Sequence, residues 1–471
     1  MEKLITQSTE LFNRFLIENE SAIKNHSAED LLISFVFDAG EIDSEGKVDA
    51  YLKNSKISFY FEHPEIQFKI FAVDEILDIT ESGDGRFAIT DKKLKGWKDK
   101  IVSNRENFAC AKIPLFVGGM KFMVEHPDNE WKDFQDSTWF VPAIMFFNNG
   151  NDNLLVFNFL HNPKKPVEQL VNHFKTKLEN IFRQKSNSPA SLPHIRKIAG
   201  DTPKDKKKWK GMISEALERI EERKIQKVVL ARKVTLFLSA EPGFEGIINS
   251  LKGNYPGCSI FIFRKNNSTF FGATPETLGR FKGNIVEFDA LAGSAPRGKD
   301  EKEDNEFEKM LLSSEKDIAE HNFVVEHIKE SLSGFSNEIE IHNGLSVKKL
   351  SNIQHLHTFI TAKPENDFSI FNLLKELYPT PAICGSPKEA ALHVIKKSET
   401  FRRGLYSGII GFFNFDNEGE FVVALRSAIS AGTKVVAYAG SGIVHNSDPG
   451  SEFSETELKL KPVMTLFKDE N

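Results

Sequence analysis

Residues 439–460, AGSGIVHNSDPGSEFSETELKL, decide how the rest of the chain is read. Gly440 and Gly442 allow close backbone approach, and Asp448-Pro449-Gly450 makes a turn. Ser451 or Ser454 is expected to cap a helix carrying Glu452 and Glu455, with Lys459 four residues further on. Spacings of three and four put both acids and the lysine on one helical face. Two carboxylates and an ammonium beside a glycine-rich turn suit a hard cation bound to an anionic small molecule. Taken alone, the pattern more often marks a solvated helix face with a Glu-Lys pair. The rest of the chain has to decide.

Composition narrows the class. The 471 residues are 40% hydrophobic and 27% charged, ordinary for a globular protein, and allow two to four domains or one large enzyme domain with an extension. A net charge of -6 gives no basic field for nucleic acid. Three cysteines without C-x-x-C spacing fit a reducing compartment and exclude a disulfide framework or a cysteine zinc site. The first residues lack the apolar centre of a signal peptide, and no run of about 18 apolar residues occurs, so a cytoplasmic protein without a membrane partner is expected. Phe (41) far exceeds Tyr (6).

Residues 1–182 show a helical pattern over 4–23, with Leu4, Leu11, Phe15 and Ile23 as core candidates. Short β-like runs follow at 31–37, 57–61, 68–71, 108–114, 138–147 and 153–158, with turns at Gly118-Gly119 and 148–151. A helix is expected over 166–181. Residues 184–210, with SNSPASLP and the basic run 204–208, read as a surface connection. We therefore divide the chain into 1–200, an extension lending strands to a common fold, and 201–471, a catalytic region. In the latter, helix 209–223 leads to strand 225–238; strands 259–264 and 269–273 form a hairpin; strand 286–291 enters a loop at 292–298. Helices at 301–312 and 314–332 follow, Ser314 and Asp317 resembling a capping box. Long strands at 408–415 and 420–430 precede a last strand, 434–439. Frequent hairpins with helices between them predict α+β, with large mixed or antiparallel sheets flanked by helices.

Five segments carry candidate chemistry. Lys227 leads a strand and shares its face with Val229 and Ala231, so its ammonium can enter an apolar interior, lose its proton and act as a base; a strand-end lysine reaching water is the simpler alternative. Glu276 follows Pro275 at a strand end, rigid enough for a general acid or merely a helix-start residue. Gly293 and Ser294 lie in a small-residue loop whose amides can hold an anion. Glu320 sits inside a helix, where a solvated acid is the ordinary reading. Tyr406 and Arg426 offer a phenol and a guanidinium for a carboxylate. His355-Leu356-His357 lacks a third partner for a metal and reads as structural.

Taken together, QKVVLAR, FGATPETL, LAGSAPRG, SEKDIAEH, PTPAICGSP, GLYSGIIG and AGSGIV…SEFSETELKL resemble the chorismate-utilising enzymes, in family order from about residue 210 to 466. The resemblance implies two large sheets wrapped by helices with the site between them. It implies that Lys227 activates water and that Glu276 protonates the departing C4 hydroxyl. Glu320 and Glu455 would bind Mg²⁺, with Glu452 in that shell. Arg426 and Tyr406 would hold the enolpyruvyl carboxylate, with Lys459 near substrate; Gly293, Ser294 and Gly442 would line the site, and His355 would lie close to the ring. Ala292 stands where aminodeoxychorismate synthases place a nucleophilic lysine, and Tyr406 where some isochorismate synthases have Phe. Ala382 stands where salicylate synthases tend to have threonine. The expectation is a magnesium-dependent isochorismate synthase, chorismate to isochorismate, feeding menaquinone or siderophore synthesis, with no glutamine amidotransferase subunit. The alternatives are a salicylate synthase and a non-catalytic chorismate-binding paralogue.

Overall fold

Alternation along the strands sets the layers. In Ile57–His63, Phe59 and Phe61 point one way and Tyr60 the other; in Ser259–Lys265, Phe261 and Phe263 oppose Ile260 and Ile262. A computed structural model of the chain describes residues 2–40, 47–111, 113, 115–124, 128–183, 192–349, 353–365 and 368–468. Within these, strand Ser137–Asn149 is the junction of two sheet arms. One edge pairs with Phe68–Glu81, the other with Phe116–Met120 and Asn153–His161.

From Phe68–Glu81 one arm runs through Ile57–His63, Ser259–Lys265, Ser268–Thr274, Ser427–Ala431 and Lys434–Ile443 to Lys227–Leu238. From Phe116–Met120 the second runs through Ile409–Phe413, Glu418–Val423, Thr277–Lys282, Val286–Pro296 and Ile353–Lys363 to Glu338–Lys349. Among the described residues all pairings are antiparallel except Leu31–Asp38 with Ile101–Ser103. The class is the expected α+β one, and the two large sheets are continuous through one shared strand. N-terminal strands pair directly with C-terminal ones in both arms.

Among the described residues no α-helix lies in the inner layer. Phe59, Phe61, Phe140, Phe147, Phe261, Phe263, Phe270 and Phe412 pack there between the arms. Phenylalanine suits such a layer because it fills volume without a hydroxyl that would need a buried partner, which accounts for its excess over tyrosine. Helices Glu2–Glu18, Glu168–Arg183, Phe244–Asn254 and Pro449–Met464 cover one outer face. Arg86–Lys95, Pro203–Glu221, Glu315–Ser333, Ile370–Leu377 and Lys388–Ser398 cover the other. No helix among the described residues is long and apolar enough to cross a membrane.

Several local expectations are corrected. Leu11 is 47% exposed; the buried stripe of its helix is Ile5, Phe12, Phe15 and Leu16, with Phe12 against Phe35, Phe159 and Phe174. Gly118-Gly119 is not a turn but part of Phe116–Met120, where a Cβ on Gly118 would lie 2.1 Å from the Thr138 carbonyl oxygen. The run at 108–114 is not a strand: Arg105–Ala111 forms 3-10 turns, and 112 and 114 lie outside the described residues. Most of SNSPASLP also lies outside them, but lysines 204 and 206–208 belong to helix Pro203–Glu221, which Thr202 and Asp205 close with a capping box. The charge run is thus a solvated helix face.

Candidate active site

The C-terminal helix, Pro449–Met464, begins one turn earlier than its serines suggest. Asp448 is the cap, its Oδ1 accepting from the Ser451 amide at 2.8 Å. This start turns Glu452, Glu455 and Lys459 toward the end of strand Lys434–Ile443. The Ser441 hydroxyl sits between the two carboxylates, 2.7 Å from Glu455 Oε2 and in close contact with Glu452. Lys459 Nζ donates to Glu455 Oε1 at 2.6 Å and to the Gly440 carbonyl at 3.2 Å. Burial pushes the Glu455 carboxyl up, but Lys459 outweighs it and holds the group at about 2. Burial raises Glu452, and Glu455 adds like-charge repulsion that its hydroxyl contacts only partly offset.

Lys227 opens strand Lys227–Leu238 with 0% of its surface exposed, so it does not reach water. Its Nζ lies 2.7 Å from Glu320 Oε1, bringing the first turns of helix Glu315–Ser333 onto the strand. Ser314 caps that helix through the Asp317 amide, as its spacing suggests. Gly442 fits between the pair: a Cβ there would stand 3.1 Å from Lys227 Cε and 3.4 Å from Glu320 Oε1. At Gly440, two residues earlier, a Cβ would likewise stand 3.1 Å from the Tyr406 hydroxyl.

On the opposite side, Glu276 follows strand Ser268–Thr274. Its amide donates to Thr274 Oγ1 at 3.2 Å and its carbonyl accepts from the Val423 amide at 3.0 Å, which fixes its backbone. Burial raises the carboxyl to about 7 against the opposing pull of Lys459, Lys227 and Arg426. The long strand expected at 420–430 is interrupted: Glu418–Val423 and Ser427–Ala431 belong to different arms, and Arg426 bridges them with φ 48°. A left-handed arginine carries backbone strain, held here by the strands on either side. Arg426 is only 8% exposed and donates to Cys258 Sγ at 3.8 Å, yet no carboxylate among the described residues pairs with it. Tyr406, its hydroxyl titration raised by burial, stacks on Tyr438 at 5.3 Å.

The loop expected at 292–298 is instead the continuation of strand Val286–Pro296, bulged at Gly293 (φ 71°) because Asp317 Cβ would lie 2.9 Å from any side chain there. The bulge sets Ser294 Oγ 2.9 Å from His355 Nδ1, which also lies 3.2 Å from the Gly293 carbonyl. Burial and then Arg426 lower His355 to about 3, so the ring is neutral. His357, two residues further along the strand, pairs with Asp289 at 2.6 Å and does not line the cavity.

Glu276, Gly293, Ser294, Glu320, His355, Ala382, Tyr406, Arg426, Gly442, Glu452, Glu455 and Lys459 all line one cavity of about 350 Å³, and Lys227 lies against it through Glu320 and Gly442. Its polar groups divide into a cationic end around Arg426 and an acidic end around Glu452 and Glu455. Sequence reasoning missed Ser441, the hydroxyl on which the acids meet, although it stands inside the quoted AGSGIV run. Cys258, Tyr438 and the Glu399–Arg403 pair behind the cavity carried no sequence signal.

The acidic end has the donor chemistry of a hard cation: three carboxylates, two of them converging on one hydroxyl and leaving buried negative charge incompletely paired. Among the described residues no three acidic, histidine or cysteine side chains already stand close enough to hold an ion together, since Glu320 is turned to Lys227.

A sequence profile described as "Chorismate binding enzyme" matches residues 17–468. The chain belongs to this family. Among its relatives, the isochorismate synthase MenF of Bacillus subtilis (strain 168) is 33% identical over 362 residues, 76% of this chain and 75% of that protein. The salicylate biosynthesis isochorismate synthase of Pseudomonas aeruginosa is 31% identical over 435 residues, 91% of this chain and 89% of its own. The fold of this chorismate-binding enzyme is that of MenF, the menaquinone-specific isochorismate synthase from Escherichia coli, at TM-score 0.76 and 22% identity over 97% of this chain and 100% of that one.

Proposed function

We propose that this chorismate-binding enzyme is a magnesium-dependent isochorismate synthase, adding water at C2 of chorismate while the C4 hydroxyl leaves. The observation that carries the reading is Glu276: a carboxyl at the cavity wall, its backbone fixed, that burial keeps protonated up to about pH 7 although Lys459, Lys227 and Arg426 all act on it. Hydroxide is a poor leaving group, so its departure needs a proton delivered from Glu276. Lys227, against the cavity beside Glu320 and Gly442, takes the proton from the attacking water. Arg426, buried and unpaired with any carboxylate among the described residues, and the Tyr406 hydroxyl hold the enolpyruvyl carboxylate. Neutral His355 and Ser294 contact the ring side, and Gly293, Ala382 and Gly442 leave room for it. Glu320, Glu452 and Glu455 would hold Mg²⁺, which would supply the positive charge that neutralises the second carboxylate.

The reading includes a cytoplasmic enzyme, supported by buried free thiols at Cys258 and Cys384, and no amidotransferase subunit, because water rather than ammonia is the nucleophile. Purified protein with chorismate and Mg²⁺, its products separated near neutral pH, tests it. An equilibrium mixture of chorismate and isochorismate is expected; stoichiometric pyruvate with salicylate makes it a salicylate synthase, and unchanged chorismate refutes catalysis.

A further inference from the structure

Glu399 and Arg403 have side chains 3% and 1% exposed, and neither lines the cavity. Removing two full charges from water is costly, and apolar residues of similar volume usually serve stability as well. Where the remaining hydrogen bonds go is therefore informative. Arg403 Nε donates to Glu399 Oε2 at 2.9 Å, Nη2 donates to the Val229 carbonyl at 2.7 Å, and Nη1 donates to the Ile383 carbonyl at 3.0 Å. Glu399 Oε1 accepts from the Ala231 amide at 2.8 Å, and the Arg403 carbonyl accepts from the Tyr406 amide at 2.9 Å. Phe122 stacks against the guanidinium at 4.4 Å.

These contacts fall on backbone, and on three elements in particular: the strand just beyond Lys227, the residue beside Ala382, and the turn that presents Tyr406. The same region is zipped directly, Gly385–Ser386 pairing with Lys227 and Val228, and the Val229 amide donating to the Cys384 carbonyl at 2.8 Å. The planar guanidinium fork reaches Glu399 and the Val229 and Ile383 carbonyls at once, which an ammonium cannot do, whereas the Tyr406 amide is held by the Arg403 main chain. We infer that Glu399 and Arg403 are positioning residues, a clamp whose side chains fix the strand led by Lys227 against the Ala382 loop. The inference rests on the reading of Lys227 as the base.

The test is a double-mutant cycle of Arg403→Lys with Lys227→Gln, followed by isochorismate formation over hours and normalised to folded protein. In the otherwise unaltered enzyme, Arg403→Lys is expected to lower kcat about tenfold or more, because small misplacements of a reacting group are expensive. The KM for chorismate should change less than about threefold, since the clamp does not touch Arg426. In the Lys227→Gln background the same change should cost less than about threefold, because the group it positions is gone. Equal losses in both backgrounds, or a loss that vanishes on normalisation, would overturn the clamp. Glu399→Gln, which keeps an oxygen for the Ala231 amide, is put through the same cycle if Arg403→Lys does not fold. Absence of isochorismate with the unaltered enzyme overturns the functional reading instead.

Discussion

Glu276 should make catalysis fail on the alkaline side near neutrality. Burial holds its carboxyl at about 7, against 4.5 for a free glutamate, and the proposed reaction uses the protonated form. At pH 7.5 a carboxyl at about 7 is protonated in about one molecule in four, whereas one at about 4.5 would be protonated in about one in a thousand. The site therefore gains about two hundredfold in acid population. The required form is present below about 7 and is lost as pH rises through it, so kcat/KM for chorismate should fall about tenfold per pH unit well above that value. The same shift is a stability statement. The folded state holds this proton more tightly than the unfolded chain, so the contribution is full below about 4.5 and lost once pH has risen through about 7. Glu276→Gln should accordingly lose about a hundredfold or more in turnover yet unfold later than the parent at pH 8, by up to about 3 kcal/mol, with little gain at pH 4. A kcat/KM profile flat from pH 6 to 9, or a stability gain of the variant over the parent that is no larger at pH 8 than at pH 4, would refute the assignment.

Lys227→Gln should fold normally and lose about a hundredfold or more in turnover; near-normal turnover of folded protein would remove Lys227 from the mechanism. Glu320→Gln and Glu455→Gln should each weaken Mg²⁺ activation and chorismate binding together, and calorimetry finding parental magnesium-dependent affinity in both would sink the metal shell. Gly442→Ala sets a methyl 3.1 Å from Lys227 Cε and should lower kcat with thermal stability within about 1 kcal/mol of the parent, measured by thermal unfolding; unchanged kcat would mean that the Lys227–Glu320 contact tolerates displacement.

What the sequence made legible was chemistry carried by local spacing. Glu452, Glu455 and Lys459 meet because helical periodicity puts them on one face, and that face can be read without knowing what it packs against. Phase along a helix survives an error in its start: Asp448 rather than Ser451 or Ser454 is the cap, and the acids still face the strand. Strand ends were less legible, because strand length is set by partners elsewhere in the chain. Val286–Pro296 runs past its small residues, since Ile353–Lys363 pairs along it on both sides of the Gly293 bulge. At Arg426 the reverse holds: an apolar run that reads as one strand is cut because its halves belong to different arms.

Lys227 shows the limit from the other side. One lysine at a strand end is most often solvated, and no periodicity distinguishes that case from a fully buried ammonium. Its burial is decided by residues far away in sequence: Glu320, which supplies the opposite charge at 2.7 Å, and Gly442, which leaves the space. Each of the three looks ordinary alone. Their juxtaposition depends on an antiparallel register that sets Gly442 opposite Val229 and Ile443 opposite Val228, a pairing of strands separated by about two hundred residues. The Glu399–Arg403 pair is the extreme of this class, because its hydrogen bonds beyond the pair go to backbone, and backbone acceptors leave no mark on residue identity. A site built from side chains can be recognised by its residues, whereas the frame that holds it emerges only when the strands are paired.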